Sequence, residues 1–307
     1  MPQLRNFTLT SDHDGLKLCV LTVLPDDGAP RALLQLAHGM SEHKERYIPF
    51  MEFMAQNGVG CIINDHRGHG GSVKSRDDLG YFYKDGANGL LKDLNQITRY
   101  FKKEYPGLPL FLFGHSMGSL AVRAYRLEYE QDIDGLIVCG SPGRNPAADA
   151  GLMLLKLLKA IRGERHISKL FINMTTGGFQ KKYKGTDESW LSVNRENVAA
   201  FASSPLCGFP FTLNGYEALL TLMKNAYAPK EAINTGLPVH FISGADDACA
   251  PDKKGFDEAV AHMKGCGYLH VTSKQYPGMR HEILNETERQ VVFGDILRTI
   301  EGWMKLI

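Results

Sequence analysis

Excess charge of either sign, clustered cysteines and long apolar runs are all missing from this 307-residue chain. Lys and Arg number 35 against 34 Asp and Glu, which leaves no global field to gather nucleic acid or acidic polymers. A small or uncharged substrate is expected, with no nucleic-acid partner. The 6 cysteines (Cys19, Cys61, Cys139, Cys207, Cys249 and Cys266) are dispersed without a C-x-x-C pair, so neither a zinc site nor a compact disulfide framework is indicated. No stretch approaches the ~18 uninterrupted apolar residues of a membrane span, and Met1 to Thr8 lack the apolar core of an export signal. The expectation is a cytoplasmic protein with reduced thiols. No internal repeat, low-complexity tract or long Pro/Gly linker breaks the chain.

What is present is alternation. Phe7 to Thr10 and Leu16 to Leu24 read as an antiparallel opening pair, and apolar strands follow at 32–37, 58–64, 108–113 and 133–139. Helical spacing separates them, at 47–56, 90–105 and 119–129. From about 141 to 233 the pattern is mainly helical and amphipathic, including 151–161 and 216–223, and it offers no convincing core strand. Alternation resumes with a strand at 237–243, a helix at 254–263, a strand at 268–275 and a helix at 286–305. This predicts an α/β fold: a mostly parallel eight-stranded sheet flanked by helices, with a helical cap inserted after the sixth strand. The core comprises 1–140 and 234–307, and the cap 141–233.

Gly114-His-Ser-Met-Gly118 lies where the fifth strand meets a helix. Such a turn forces its central serine into a strained, exposed position, as in the nucleophile elbow of α/β-hydrolases, so Ser116 is the candidate nucleophile. A serine hydroxyl needs a base, and the base needs an acid to hold its tautomer, in the chain order serine, acid, histidine. His166 falls in the cap, His240 and His270 in strands and His262 in a helix. His281 sits between the last strand and the last helix, where a base can reach the nucleophile. In Gly244-Ala-Asp-Asp-Ala-Cys-Ala-Pro251, Asp247 has the G-x-x-D spacing expected of the acid, and Asp246 suits a turn-capping role. Two backbone donors for an oxyanion are expected from Met117, just after the nucleophile, and from Met40 in His38-Gly-Met-Ser41 at the end of the third strand.

His38-Gly-Met-Ser-Glu-His-Lys-Glu-Arg-Tyr47 is similar to the H-G-x-x-E-H-x-x-R-Y segment of monoacylglycerol lipases and lysophospholipases in the α/β-hydrolase superfamily. Asp65-His-Arg-Gly-His-Gly-Gly-Ser72 resembles their D-x-R-G-H-G-x-S turn, and the elbow, Asp247 and His281-Glu282 follow in matching order. The resemblance covers the whole catalytic core. It implies a Ser116–Asp247–His281 triad, an oxyanion hole from the Met40 and Met117 amides, and hydrolysis of single-chain acyl esters without cofactor or metal. Glu42, His43, Arg46, Tyr47, Asp65, Arg67 and His69 are then supports for the loops around the site. A metal centre on His38, His43, His66 and His69 is the rival reading of the same stretch, but their spacing fits no metal motif.

The cap matches nothing residue by residue, so the sequence does not name the ester. Leu154, Leu157, Leu158 and Ile161 share one helical face, with Lys156, Lys159 and Arg162 on another arc; this face is expected to pack over the core. Transient contact with an anionic membrane surface, making the protein peripheral, is the alternative. Leu152 and Met153 are candidates for an acyl tunnel, and Phe201, Leu206, Phe209, Phe211 and Leu213 for the pocket wall. The expected activity is hydrolysis of monoacylglycerol or lysophospholipid esters. A small-ester esterase, a thioesterase, an aminoacyl peptidase and a catalytically silent receptor or scaffold are the rivals. Epoxide hydrolase chemistry is disfavoured because it uses an aspartate at the elbow.

Overall fold

In a computed structural model of the protein, which describes residues 1–180, 189–249 and 253–306, the strands form one 8-stranded sheet in the order β1-β2-β4-β3-β5-β6-β7-β8. The strands are β1 (Gln3–Thr10), β2 (Lys17–Leu24), β3 (Ala32–Ala37), β4 (Val59–Asn64), β5 (Leu110–His115), β6 (Gly135–Cys139), β7 (Val239–Gly244) and β8 (Val271–Tyr276). β2 is antiparallel to both β1 and β4, and every other pairing is parallel. This is the α/β-hydrolase arrangement.

Strands β3 to β7 are buried along their whole length because helices cover both faces. Side chains alternate across each strand, so β5 sends Leu110 and Leu112 into one core and Phe111 and Phe113 into the other. The first core is closed by α2 (Gly86–Glu104) and α3 (Met117–Tyr129), the second by α1 (Ile48–Gln56). Between β6 and β7 run α4 (Ala148–Arg162), α5 (Lys169–Met174), α6 (Thr176–Gln180), α7 (Arg195–Ser203) and α8 (Leu213–Ala226), with no strand among the described residues there. α9 (Lys253–Gly265) and α10 (Arg289–Met304) complete the alternation, packing on the first and second core respectively.

Element boundaries moved for local reasons. α2 starts at Gly86 rather than 90 because its first turn is built of small buried residues, which carry no periodic apolar signal; a Cβ on Gly86 would come within 2.9 Å of the Ala218 Cβ. A 3-10 turn, Lys44–Tyr47, precedes α1, whose second residue is Pro49. The last two strands begin later than expected, at Val239 and Val271, which leaves His270 just outside β8.

One packing expectation is overturned except at Leu158, which is partly buried against the first core. α4 buries Ala148 and Leu155, whereas Met153, Leu157 and Ile161 are 73%, 58% and 66% exposed and Leu154 is 37% exposed. The cause is Gly151, where a Cβ would come within 2.8 Å of Leu220 Cδ1 on α8. That close approach selects the arc of Gly151 and Leu155 as the seam, and Lys159 reaches Glu217 of α8 from the same side, at 2.5 Å. The Leu154, Leu157 and Ile161 face therefore points outward. The basic run at 181–184 lies outside the described residues. No helix among the described residues is long and apolar enough to cross a membrane.

Candidate active site

The elbow is shaped by its two glycines. A Cβ on Gly114 would lie 2.3 Å from the Gly118 carbonyl oxygen, and one on Gly118 would lie 2.1 Å from the Ala37 carbonyl oxygen of β3. Strand β5, helix α3 and β3 thus approach closer than any side chain permits. The chain turns at Ser116 with φ 55° and ψ −118°, a region that residues other than glycine rarely occupy. Its amide donates to the Cys139 carbonyl at 3.0 Å, and its own carbonyl accepts the Ser119 hydroxyl at 2.5 Å. Ser116 is half-buried between strand and helix residues that are wholly buried.

The structure brings Asp247 and His281 side by side. The His281 Nδ1–H faces both carboxylate oxygens at 3.0 Å. Asp247 is oriented in turn by the Cys249 amide at 2.8 Å and the Ser243 hydroxyl at 3.0 Å. Burial raises the Asp247 pKa, but the His281 charge and these hydrogen bonds outweigh it and hold the carboxyl below its ordinary value. Burial alone would lower the His281 pKa; the neighbouring carboxylate overrides it and the net direction is upward. Pro251, the end of the expected acid turn, lies outside the described residues.

Gly39 presses the His38–Ser41 loop against the elbow, where a Cβ would stand 3.2 Å from the Ser116 Cβ. The Met40 and Met117 amides have no acceptor among the described residues, as the proposed role requires of them. Met40 and Met117 line the same cavity as Ser116 and His281. The loop is fixed on the far side by Ser41, itself at φ 53°. Its hydroxyl donates to the Phe209 carbonyl at 2.7 Å, its carbonyl accepts the Gly208 amide at 2.9 Å, and its amide donates to His69 Nε2 at 3.2 Å.

The supporting residues divide into two groups. Glu42 accepts the Gly39 amide at 2.5 Å and the Tyr47 hydroxyl at 2.9 Å, while Arg46 bridges Glu42 at 2.7 Å and both oxygens of Glu282 at 2.5 Å. This buried chain of charges joins the Met40 loop to the His281 loop. In the other group, Asp65 accepts the Lys44 and Gly71 amides, both at 2.8 Å, and Arg67 is clasped by Asp93 at 2.9 Å and Asp14 at 3.0 Å. His38, His66 and His69 stack with ring centroids 4.1 and 5.1 Å from His38. Five of the six ring nitrogens in this group are spent on backbone groups. Burial drives His38 and His69 down to about 3, so all act as neutral struts. His43 turns aside to Glu45 at 2.6 Å.

Three neighbours of His281 were not singled out from the sequence. His115 Nε2–H donates to the His281 carbonyl at 3.1 Å, Trp190 stacks at 5.1 Å, and the Cys249 Sγ lies 3.8 Å from Nε2. His115 and Cys249 were signalled by adjacency to Ser116 and Asp247; Trp190 arrives from a distant segment and left no local signal. Among the described residues, Asp247, Cys249 and His281 also form a group of metal-ligand composition, but the carboxylate and Nδ1 already bind each other.

These residues open onto a cavity of about 930 Å³, at the upper end for small-molecule sites. Its apolar wall includes Phe171, Ile172, Tyr216, Leu219, Leu220 and Met223, with Phe201 and Phe209. Leu206, Phe211 and Leu213 do not line it; Phe211 and Leu213 are wholly buried, and Phe211 packs on His69 at 5.3 Å. Leu152 and Met153 are likewise absent from the wall, since α4 turns only Gly151 and its leading loop towards it.

Comparison with known proteins places this arrangement. The chain is 27% identical over 278 residues to the monoacylglycerol lipase of Mycolicibacterium smegmatis, covering 90% of each. It is 26% identical over 270 residues to the phospholipase YtpA of Bacillus subtilis, covering 86% of this chain and 93% of that one. A thermostable carboxyl esterase from Bacillus coagulans, solved in complex with glycerol, superposes with a TM-score of 0.89 at 26% identity, over 97% of this chain and 98% of the other. Residues 28–288 match the model of the serine aminopeptidase S33 hydrolases, and the chain belongs to that family.

Proposed function

We propose that the protein hydrolyses carboxylic esters of single-chain lipids through an acyl-enzyme on Ser116. The observation that carries this reading is the Asp247–His281 pair, opening with the strained Ser116 into one large, mainly apolar cavity. His281 takes the Ser116 proton as Oγ attacks the ester carbonyl, and the Met40 and Met117 amides receive the oxyanion. His281 then protonates the departing alcohol. Water, deprotonated by the same histidine, releases the acid and restores the hydroxyl. Residues 141–233 serve as the cap that shapes the pocket, with each buried acyl methylene contributing about 0.8 kcal/mol.

Relatives named as lipases and a phospholipase support the lipid substrate. The exposed Met153, Leu157 and Ile161 face of α4 supports transient docking on a membrane surface by a cytoplasmic protein. A fluorophosphonate should add to Ser116 in intact protein, and Ser116→Ala should lower kcat by about 10⁶ on a monoacylglycerol. Full activity in that variant, or no adduct on the folded protein, overturns the reading.

A further inference from the structure

Two cations in the cavity wall have nothing to bind. Arg144 and Lys254 line the same cavity as Ser116, yet neither side chain has a hydrogen bond, ion pair or ring contact among the described residues. Arg46, which binds the wall residues Glu42 and Glu282, is by contrast fully engaged. The two come from touching segments. Arg144 follows Gly143 in the loop after β6, Lys254 stands in the first turn of α9, and a Cβ on Gly143 would lie 3.7 Å from the Gly255 Cα.

The loop that carries Arg144 is anchored on both sides. The Gly143 amide donates to the Cys249 carbonyl at 3.3 Å, the Pro142 carbonyl accepts the Tyr227 hydroxyl at 3.2 Å, and the wholly buried Arg123 donates to the Ser141 hydroxyl at 3.1 Å. The backbone leading to Arg144 is thus fixed, and its exposed side chain has no counter-charge among the described residues. Glu258, one turn along α9, also lines the cavity, so the described charged residues Arg144, Lys254 and Glu258 together carry a net positive charge. The start of α9 adds the positive end of a helix dipole.

An acyl chain belongs against Phe171, Leu219, Leu220 and Met223, which leaves the charged wall for the alcohol half of the ester. We propose that Arg144 and Lys254 bind a phosphate on that alcohol, so that the enzyme prefers a lysophospholipid-type ester to the uncharged monoacylglycerol of the same chain. The inference rests on the hydrolase reading above and narrows its substrate. In the reaction only the acyl carbon–oxygen bond breaks. The proton held by His281 passes to the glycerol oxygen, water supplies hydroxide to the acyl carbon, and the phosphate leaves intact on the alcohol. A guanidinium and an ammonium suit this task because both form charge-assisted bonds to phosphate oxygens.

The test compares kcat/KM for a short-chain, monomeric 1-acylglycerol 3-phosphate with that for the matching monoacylglycerol, in the wild type and in Arg144→Ala/Lys254→Ala. The wild type should favour the phosphorylated ester by about tenfold or more, and the double variant should lose that preference mainly through KM. Its monoacylglycerol activity should stay within about twofold, and added salt should erode the wild-type preference. Inorganic phosphate should inhibit the wild type more strongly than the variant. No preference in the wild type, or an equal loss on both esters, overturns the proposal. So does a difference that appears only when anionic vesicles are added to the neutral ester, which would assign the cations to a lipid surface. If Ser116 is not labelled and neither ester is cleaved, the hydrolase reading itself fails; labelling with monoacylglycerol turnover but no phosphate discrimination removes this inference alone.

Discussion

At the scale of single residues, the site keeps conformational strain where chemistry needs it. Ser116 holds φ at 55°, which glycine tolerates far better than serine. Ser116→Gly should therefore stabilise the protein by about 1 kcal/mol in urea unfolding while removing hydrolysis altogether. A destabilised Ser116→Gly variant would show that the elbow carries no such strain. The base yields a second expectation. The His281 pKa is raised above its usual 6.5, so the acid limb of kcat/KM should have its midpoint above pH 6.5. In its proposed role His281 cannot act as base when protonated, so activity should fall as pH decreases through that midpoint. Asp247→Asn removes the charge that causes the shift, and its residual activity should show the limb displaced to lower pH. The proximity of Asp247 and His281 was legible in the sequence because the serine, acid, histidine order and the turn context singled them out; Trp190 was not, since its place beside His281 depends on how the chain between β6 and β7 folds back.

Among elements, the decisive joint is Arg46. It links the turn before α1 to the loop before α10, and its second guanidinium nitrogen reaches Asn197 of α7 at 2.9 Å. Arg46→Met would leave Glu42 and Glu282 buried without a counter-charge, which should cost about 3–5 kcal/mol of stability. Urea denaturation should show this as a lower midpoint with an unchanged slope. A loss below about 1 kcal/mol would mean that water replaces the guanidinium freely. The sequence revealed the strands well because β3 to β7 are buried on both faces and read as unbroken apolar runs. It misplaced the seam of α4 because a large apolar face outweighed one glycine, although Gly151 is what lets α8 approach. Apolar periodicity reports which residues are greasy; it does not report where a neighbouring helix comes closest.

For the whole molecule, the balance of charge conceals a marked dependence on pH. His38 and His69 are held down to about 3 by burial, against 6.5 for the free side chain. At these two sites the unfolded chain therefore binds more protons than the native one between these values, so their contribution to stability is fully present above about pH 6.5 and is lost as pH falls towards 3. Thermal melts across that range should show the decline, and the double variant His38→Gln/His69→Gln should show a shallower slope even if it is less stable at neutral pH.

The pairing of β6 with β7 has a further consequence. Val138 lies opposite Phe241 and Cys139 opposite Ile242 in parallel register, so the long excursion leaves one end of the sheet's strands after Cys139 and returns at the other end before Val239, into the neighbouring strand position. Such an excursion is a cassette: its coding stretch can be exchanged between related genes without changing the order of any strand. A graft must conserve only the seams that lock it in place, among them the Gly208 and Phe209 contacts to Ser41 and the Asn197 contact to Arg46. If the proposed ester hydrolysis holds, new ester preferences are reached most readily by recombination at the two junctions, while point substitutions in the buried strands mainly erode stability.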